Sequence, residues 1–319
     1  MRVSLKRQVF HSPFPKRHLN TSLLLAPLTL CLLVCAAAHT QKHEQDDEVV
    51  RVESDLVVLN VTVTDKSGNY VHKLTRPDFK VLEDGREQQI ALFSVETTPF
   101  AAAILLDTSG SMESRISLAR AAAIRFLEGL REEDVASVYH FDSEVEQLQD
   151  FSPGRDLPPV AYDLNSKGMT KLNDAVLRAS KDLAQRSEKR RAIIVLSDGL
   201  DTASGSTAEK ALNAALEANV SIYTVDMMDP QANAVDRMRA AGALKNYTAK
   251  SGGRYVSTPG GQALDTAFSE ILEELSNQYT LGYRPTNRAR DGRWRSIELK
   301  LARPDLKSRT RDGYRAPKT

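Results

Sequence analysis

Apolar residues in the middle of the chain form two kinds of run that alternate along the sequence. Continuous apolar or β-branched runs, typical of buried strands, occupy 101–106, 134–141, 145–151, 192–196, 220–225 and 254–257. Runs with apolar residues three and four positions apart, typical of amphipathic helices, occupy 115–130, 170–186, 207–218, 232–251 and 264–275. Because strands and helices alternate, we predict an α/β fold with a doubly wound, mainly parallel sheet and helices on both faces.

Strand-like patterns of a different kind flank this region on both sides. Before it, 56–64, 79–85 and 89–95 are rich in β-branched residues or alternate, and Asp84-Gly85 is a hairpin turn. After it, 278–283, 294–301 and 307–314 read as strands. Because two or three strands bury little by themselves, we predict that 51–97 and 279–319 pair as one small β unit around a central domain at 98–278.

The N-terminus has the pattern of a secretory signal peptide. Residues 1–20 carry five basic residues and no acidic one, and Leu23–Ala38 is almost wholly apolar with a small-residue end. We predict a signal peptide at 1–38, cleavage near Ala38, a polar linker at 39–50, and export to the periplasm or the extracellular space. An uncleaved anchor in the envelope is the alternative, but the apolar run is short for a span of about 20 residues and Pro27 interrupts it. A lipidated Cys35 is disfavoured by the large Val34 before it.

Composition excludes several classes of chemistry. The chain has 319 residues, 41% hydrophobic and 27% charged, with a net charge of +1, so it has no general attraction to nucleic acid. Both cysteines, Cys31 and Cys35, lie in the predicted signal peptide, so the mature protein would lack a thiol nucleophile and cysteine-bound zinc. We expect the basic residues of 284–318 to form a solvated face or to guard strand edges, and we predict no nucleic-acid partner.

Oxygen-bearing residues follow two of the predicted buried strands. Asp107, Ser109 and Ser111 come directly after 101–106, and Asp198 follows 192–196. Because ligands of open α/β sheets bind at the carboxyl ends of the strands, these side chains are expected at one site. Thr170, just before a helical run, adds a hydroxyl, although threonine at that position is also a common N-cap. An all-oxygen set suits a hard divalent cation such as Mg²⁺, or Mn²⁺ or Ca²⁺.

The spacing of Asp107, Ser109 and Ser111, followed in order by Thr170 and Asp198, resembles the metal-ion-dependent adhesion site of von Willebrand factor type A domains. The resemblance covers about 98–278. The segment before this region also resembles the N-terminal part of secreted bacterial VWFA-related domain proteins. This second resemblance is carried by the strand Asn60–Asp65, the stretch Leu74–Phe79 and the Asp84-Gly85 turn. The resemblance implies that a partner carboxylate completes the coordination of the cation. It also implies that Thr170 engages the ion in a high-affinity state, with movement of the last helix at 264–277.

These expectations define a function and two alternatives. We predict an exported, non-enzymatic protein-binding or adhesion module whose divalent cation binds an Asp or Glu side chain of a protein partner, with membrane contact only through an uncleaved anchor. The first alternative is an envelope scaffold or assembly factor with a structural cation. The second is a metal-assisted hydrolase. The second is disfavoured because His140 is the histidine nearest to the site loops and Ser109 has no evident base.

Overall fold

The computed structural model describes residues 56–95, 98–155, 157, 159–162, 168–258 and 261–318. The predicted signal peptide at 1–38 and linker at 39–50 lie outside these residues. The strands are β1 Val57–Thr64, β2 Phe79–Glu83, β3 Arg86–Gln88, β4 Ile90–Ser94, β5 Phe100–Asp107, β6 Val135–Phe141, β7 Val145–Ser152, β8 Arg190–Ser197, β9 Val220–Asp226, β10 Tyr255–Ser257, β11 Tyr279–Tyr283, β12 Trp294–Leu301, β13 Lys307–Arg309 and β14 Gly313–Arg315. The helices are α1 Ile116–Glu128, α2 Leu172–Ala184, α3 Ala208–Glu217, α4 Ala234–Ser251 and α5 Gln262–Ser276.

The central sheet has six strands in the order β10-β9-β8-β5-β6-β7. All neighbours are parallel except β7, which runs antiparallel to β6. Side chains of β5 alternate between two cores: Ala102 and Ile104 pack with α1 and α5, whereas Ala103 and Leu105 pack with α2, α3 and α4. The α/β fold with a mainly parallel sheet and helices on both faces is therefore confirmed. Of the helices in the described residues, none combines the length and apolarity that a membrane crossing requires.

The ends of the helices follow local capping chemistry. Thr207 and Asn233 cap α3 and α4 through their side-chain oxygens, and Gly252 ends α4 in the left-handed conformation with φ of 80°. The N-cap of α2 is Lys171, whose own side chain makes no capping hydrogen bond. Thr170 therefore lies ahead of the helix and is not its N-cap, so the capping alternative for this threonine is wrong.

The flanking segments form two antiparallel sheets of four strands, in the orders β13-β1-β11-β4 and β14-β12-β2-β3. N-terminal strands pair with C-terminal ones: β1 with β11, and β2 with β12. Apolar side chains from both sheets, including Leu59, Val81 and Leu281, share one hydrophobic core. The sequence pattern did not distinguish a two-sheet sandwich from a single sheet, because alternation defines an inner face but not its partner.

Part of the basic C-terminal tail is inside the protein, which corrects the expectation of a solvated face. Arg311 is 7% exposed and donates to the carbonyl oxygens of Leu216 and Val58. Arg295 is 5% exposed and donates to Asp291 at 2.9 Å. A guanidinium satisfies several fixed acceptors at once, so arginine can serve as an internal connector where lysine could not.

Candidate metal centre

The two central strands bring the first and last predicted site residues together. Strands β5 and β8 are parallel neighbours, with Leu106 opposite Leu196, so Asp107 lies beside Ser197 at the carboxyl edge of the sheet. The Ser197 hydroxyl donates to Asp107 Oδ2 at 2.5 Å. Asp198 follows immediately and is 3% exposed, against 0% for Asp107. Two buried carboxylates therefore stand at adjacent strand ends.

The loop after β5 folds back on Asp107. The backbone N–H of Ser109 donates to Asp107 Oδ1 at 2.9 Å, and a short 3₁₀ turn over Gly110–Met112 follows. This turn places the hydroxyl oxygens of Ser109 and Ser111 3.1 Å apart. Adjacent ligands of an octahedral ion with bonds of about 2.1 Å lie about 3.0 Å apart. The two hydroxyls thus have a separation that suits neighbouring positions on one cation.

Thr170 belongs to a second loop that contacts the other two. The Gly110 N–H donates to the Gly168 carbonyl at 3.5 Å, which joins this loop to the one after β5. On the other side, Thr170 N–H donates to Thr202 Oγ1 at 2.8 Å, and the Thr170 carbonyl accepts from the Thr202 N–H at 3.0 Å. The side chain of Thr170 is buried, and its hydroxyl has no hydrogen-bond partner among the described residues. Among the described residues, Thr170 is therefore held in place by hydrogen bonds of its backbone and not of its hydroxyl.

Gly168 is required where the second loop turns. Its φ is +70°, and a Cβ at this position would lie 2.1 Å from Ser143 Oγ. Ser143 Oγ also accepts the N–H of Met169 at 3.3 Å. Both the left-handed backbone and the close approach to Ser143, in the turn between β6 and β7, favour glycine at 168.

The loop after β8 is supported by its own backbone and by α4. The Leu200 N–H donates to Asp198 Oδ1 at 3.1 Å, and the Gly199 N–H donates to Ser197 Oγ at 2.9 Å. Gly199 has φ of +80°, and a Cβ there would lie 2.9 Å from the Ala240 carbonyl of α4. The position of Asp198 is therefore set by β8 on one side and by packing on α4 on the other.

The electrostatics of this cluster favour a cation. Burial raises the pKa of Asp107 to about 7; hydrogen bonds from Ser109 and Ser197 lower it, and the charge of Asp198 raises it. Among the described residues, no Lys, Arg or His forms an ion pair with either carboxylate. Both oxygens of Asp107 accept hydrogen bonds, so this carboxylate would act through a remaining lone pair or through water. The donor set fits a hard divalent cation held largely by neutral hydroxyls.

All five predicted ligands lie at one edge of the sheet: Asp107 ends β5, and the other four lie on three loops that hydrogen-bond to one another. In the described part of the chain, no group of three or more His, Cys, Asp or Glu side chains could hold a metal. The candidate centre has a different composition, with three hydroxyls and two carboxylates. Sequence reasoning missed Ser197 and Thr202, which fix Asp107 and Thr170. Their only signal was the polar run that begins at Ser197, directly after a buried strand.

His140 does not serve the site hydroxyls. Its Nδ1 lies 3.2 Å from Thr108 Oγ1, and its Nε2 lies 3.3 Å from Glu146 Oε2. The hydroxyl of Ser109 has Ser111 as its side-chain partner among the described residues. This arrangement does not provide the nucleophile–base pair that an activated serine requires.

Comparison with known family models finds one match in this chain. Residues 102–200 match the family model of the von Willebrand factor type A domain, and the stretch includes all five predicted ligands. This part of the chain is therefore similar in sequence to von Willebrand factor type A domains. A search of curated proteins finds no match.

Similar solved structures include a minor pilin, a domain of a pilus tip protein and a von Willebrand factor type A protein. The PilB minor pilin from Streptococcus sanguinis is 16% identical with a TM-score of 0.43, covering 56% of this chain and 62% of that one. The vWF domain of the type V pili tip protein Mfa5 from Porphyromonas gingivalis is 15% identical with a TM-score of 0.47, covering 56% and 95%. The von Willebrand factor type A protein from Catenulispora acidiphila is 12% identical with a TM-score of 0.45, covering 75% and 62%. The chain thus spans less than two thirds of PilB.

Proposed function

We propose that the protein is an exported, non-enzymatic protein-binding module that works through a divalent cation. The cation is held by Asp107, Ser109, Ser111, Thr170 and Asp198. Mg²⁺ is the expected ion, with Mn²⁺ or Ca²⁺ as substitutes. A position of the ion that no protein residue fills accepts an Asp or Glu carboxylate from the partner protein. Export rests on the signal-like pattern of residues 1–38.

One observation carries this proposal: three hydrogen-bonded loops bring hydroxyl and carboxylate side chains to one edge of the sheet, and no basic side chain of the described residues forms an ion pair with either carboxylate. The Ser109 and Ser111 hydroxyls are 3.1 Å apart, and the Thr170 hydroxyl has no partner in the described residues. Mostly neutral ligands leave the ion electrophilic, so it attracts one further anionic oxygen. A carboxylate of a partner is the commonest such group that a protein surface offers.

The experiment measures metal and partner binding with matched carboxylate variants. Mn²⁺ is titrated calorimetrically into the purified protein, into Asp107→Asn and into Asp226→Asn. Asp226 ends the neighbouring strand β9 at the same edge, but its oxygens accept from Tyr255 and Met228, so it is a structural control. We expect Mn²⁺ affinity to fall at least about tenfold in Asp107→Asn and to remain unchanged in Asp226→Asn. Equal affinities in all three proteins would overturn the proposed metal centre.

The same variants separate the recognition role from a structural one. Proteins of the native envelope are captured with each variant in Mg²⁺ and in chelator. We expect partner proteins to be captured by wild type and by Asp226→Asn in Mg²⁺. The same proteins should not be captured in chelator or by Asp107→Asn. If chelation lowers the melting temperature but leaves the captured proteins unchanged, the cation is structural and the protein is a scaffold.

A further inference from the structure

Three large apolar side chains are much more exposed than the others in the described residues. Met238 is 74% exposed, Val235 is 70% exposed and Met169 is 56% exposed, whereas the next most exposed ones reach only 38%. Scattered exposed apolar residues are ordinary, but a concentration at one place marks an interaction site. We call Met169, Val235 and Met238 the apolar rim.

The backbone places the apolar rim at the edge of the sheet that carries the site. Met169 directly precedes Thr170. Helix α4 follows β9, whose last residue Asp226 is opposite Ser197, and the Met227 N–H donates to the Ser197 carbonyl at 2.9 Å. Helix α4, which carries Val235 and Met238, therefore follows the strand that ends beside Ser197 and Asp198 at this edge of the sheet.

The first two turns of α4 are not needed for packing. None of the residues 234–239 is buried, and Ala240 is the first buried residue of the helix. The turns are nevertheless held firmly: Asn233 caps them, and the loop before them pairs Asp229 with Arg115 at 3.6 Å, close to the start of α1. The start of α4 therefore presents two large apolar side chains, Val235 and Met238, that pack in no core of the described residues.

The charges of these turns indicate the chemistry of what binds there. Arg237 and Arg239 are exposed, and neither forms an ion pair with another residue that the structure describes. The one acidic residue of the turns, Asp236, is engaged by Asn233. The surface beside the metal centre is therefore basic and apolar at once, which complements an acidic segment that also carries an apolar side chain.

We infer that the bound segment is an acidic protein loop in which the metal-binding Asp or Glu stands next to a large apolar residue that packs on the apolar rim. This inference rests on the proposed function, since the metal-bound carboxylate positions the loop. Methionine suits such a surface because its flexible, polarisable side chain adapts to different apolar partners. The cation supplies the common anchor and the rim supplies selectivity among acidic loops.

The test selects ligands from a library of disulfide-cyclised random heptapeptides displayed on phage. Selection is done in Mg²⁺ and bound clones are eluted with EDTA. The rim variant is Met169→Gln/Val235→Thr/Met238→Gln, which keeps side-chain shape. The control is Val95→Thr, because Val95 is exposed at the opposite end of the sheet, where its carbonyl accepts from Arg190. Thermal melting and Mn²⁺ titration verify that each variant folds and keeps the ion.

We expect wild type and Val95→Thr to enrich loops with Asp or Glu beside Leu, Ile, Phe or Met, and the rim variant to enrich acidic loops without that preference. A synthetic loop of the enriched type should bind the rim variant at least about tenfold more weakly, because one large apolar contact is worth at least that much affinity. Acidic clones with no apolar preference, or a preference that persists in the rim variant, would overturn the inference alone. If EDTA elutes no acidic clones from wild type, the proposed function fails as well.

Discussion

The hydroxyl of Thr170 is expected to contribute to metal binding and not to the stability of the fold. Its N–H and carbonyl join two loops, whereas its hydroxyl bonds to none of the described residues. We predict that Thr170→Val, which keeps the shape and removes the hydroxyl, lowers Mn²⁺ affinity about tenfold, as loss of one ligand from a metal site should. In chelator its melting temperature should equal that of wild type, since no protein hydrogen bond is lost.

Thr170→Ser is the control for this prediction, because it keeps the hydroxyl and loses only a methyl group. Calorimetric titration with Mn²⁺ should place Thr170→Ser close to wild type. A Thr170→Val protein that binds Mn²⁺ as tightly as wild type would remove Thr170 from the ligand set.

Gly168 sets the path of the chain into Thr170 through its positive φ. We predict that Gly168→Ala lowers the free energy of unfolding by about 1–2 kcal/mol, the usual cost of a left-handed backbone at a residue with a Cβ. It should also weaken Mn²⁺ binding, because the Cβ pushes against Ser143 Oγ. Urea denaturation in chelator measures the first effect.

The double variant Gly168→Ala/Ser143→Ala separates the two causes at this position. It removes the close contact and keeps the strained φ, so Mn²⁺ affinity should recover while the loss of stability remains. Recovery of both would show that only the steric contact matters.

At the scale of elements, the loop between β8 and α3 acts as the cap of α2. Asp201 accepts from the Asn173 N–H at 2.8 Å and from the Ser204 hydroxyl at 2.6 Å, although Asp201 is distant from α2 in sequence. We predict that Asp201→Ala destabilises the protein by about 1 kcal/mol, the typical cost of a lost helix cap. Asp201→Asn, which keeps an accepting oxygen, should lose less. Urea denaturation of the three proteins checks the order.

The elements of the central domain were predictable because each is specified locally. The 3.6-residue spacing over 115–130 located α1 at Ile116–Glu128, and the apolar run 192–196 located β8 at Arg190–Ser197. The order of strands then placed Asp107 and Asp198 at one edge. The supports of the site were not predictable: Thr202 contacts Thr170 only because a loop closes across the sheet, and no periodicity records such a contact.

At the scale of the whole molecule, buried hydrogen bonds connect the sandwich to the central domain, and the periodicity of the sequence does not predict them. Arg311 reads as one more solvated basic residue in a basic tail, yet it lies inside and bonds to carbonyls of α3 and β1. Glu274 of α5 is likewise buried and is contacted by Thr62, Tyr223 and Arg309. These contacts join the sandwich to the sheet-and-helix domain through buried polar groups, which are costly to separate.

Arg190 is the strongest such connection. It is fully buried at the start of β8 and donates to the carbonyls of Val95 at 2.7 Å and Thr98 at 3.2 Å, on the chain that enters the central domain. It also donates to the Gln278 carbonyl and to Thr280 Oγ1 at 3.0 Å, on the chain that leaves it. One side chain therefore hydrogen-bonds to both segments that connect the sandwich with the central domain.

We predict that Arg190→Met lowers the free energy of unfolding by at least about 3 kcal/mol, because each buried acceptor left unpaired costs about 1–3 kcal/mol. It should also uncouple the two parts. The chain has one tryptophan, Trp294 on β12, so its fluorescence reports the sandwich, while circular dichroism at the helical band reports the central domain. The two urea transitions should coincide in wild type and separate in Arg190→Met.

Arg191→Met is the matched control for this uncoupling. Arg191 is the next residue of β8, but it donates to Glu188, Ala218 and Arg186 carbonyls, all within the central domain. Its loss should lower both midpoints together, since the hydrogen bonds of Arg190 to both connecting segments remain. Transitions that remain coincident in Arg190→Met would mean that apolar contact mainly holds the sandwich and the central domain together. The positions of β8 and of Asp198 would then not depend on this arginine.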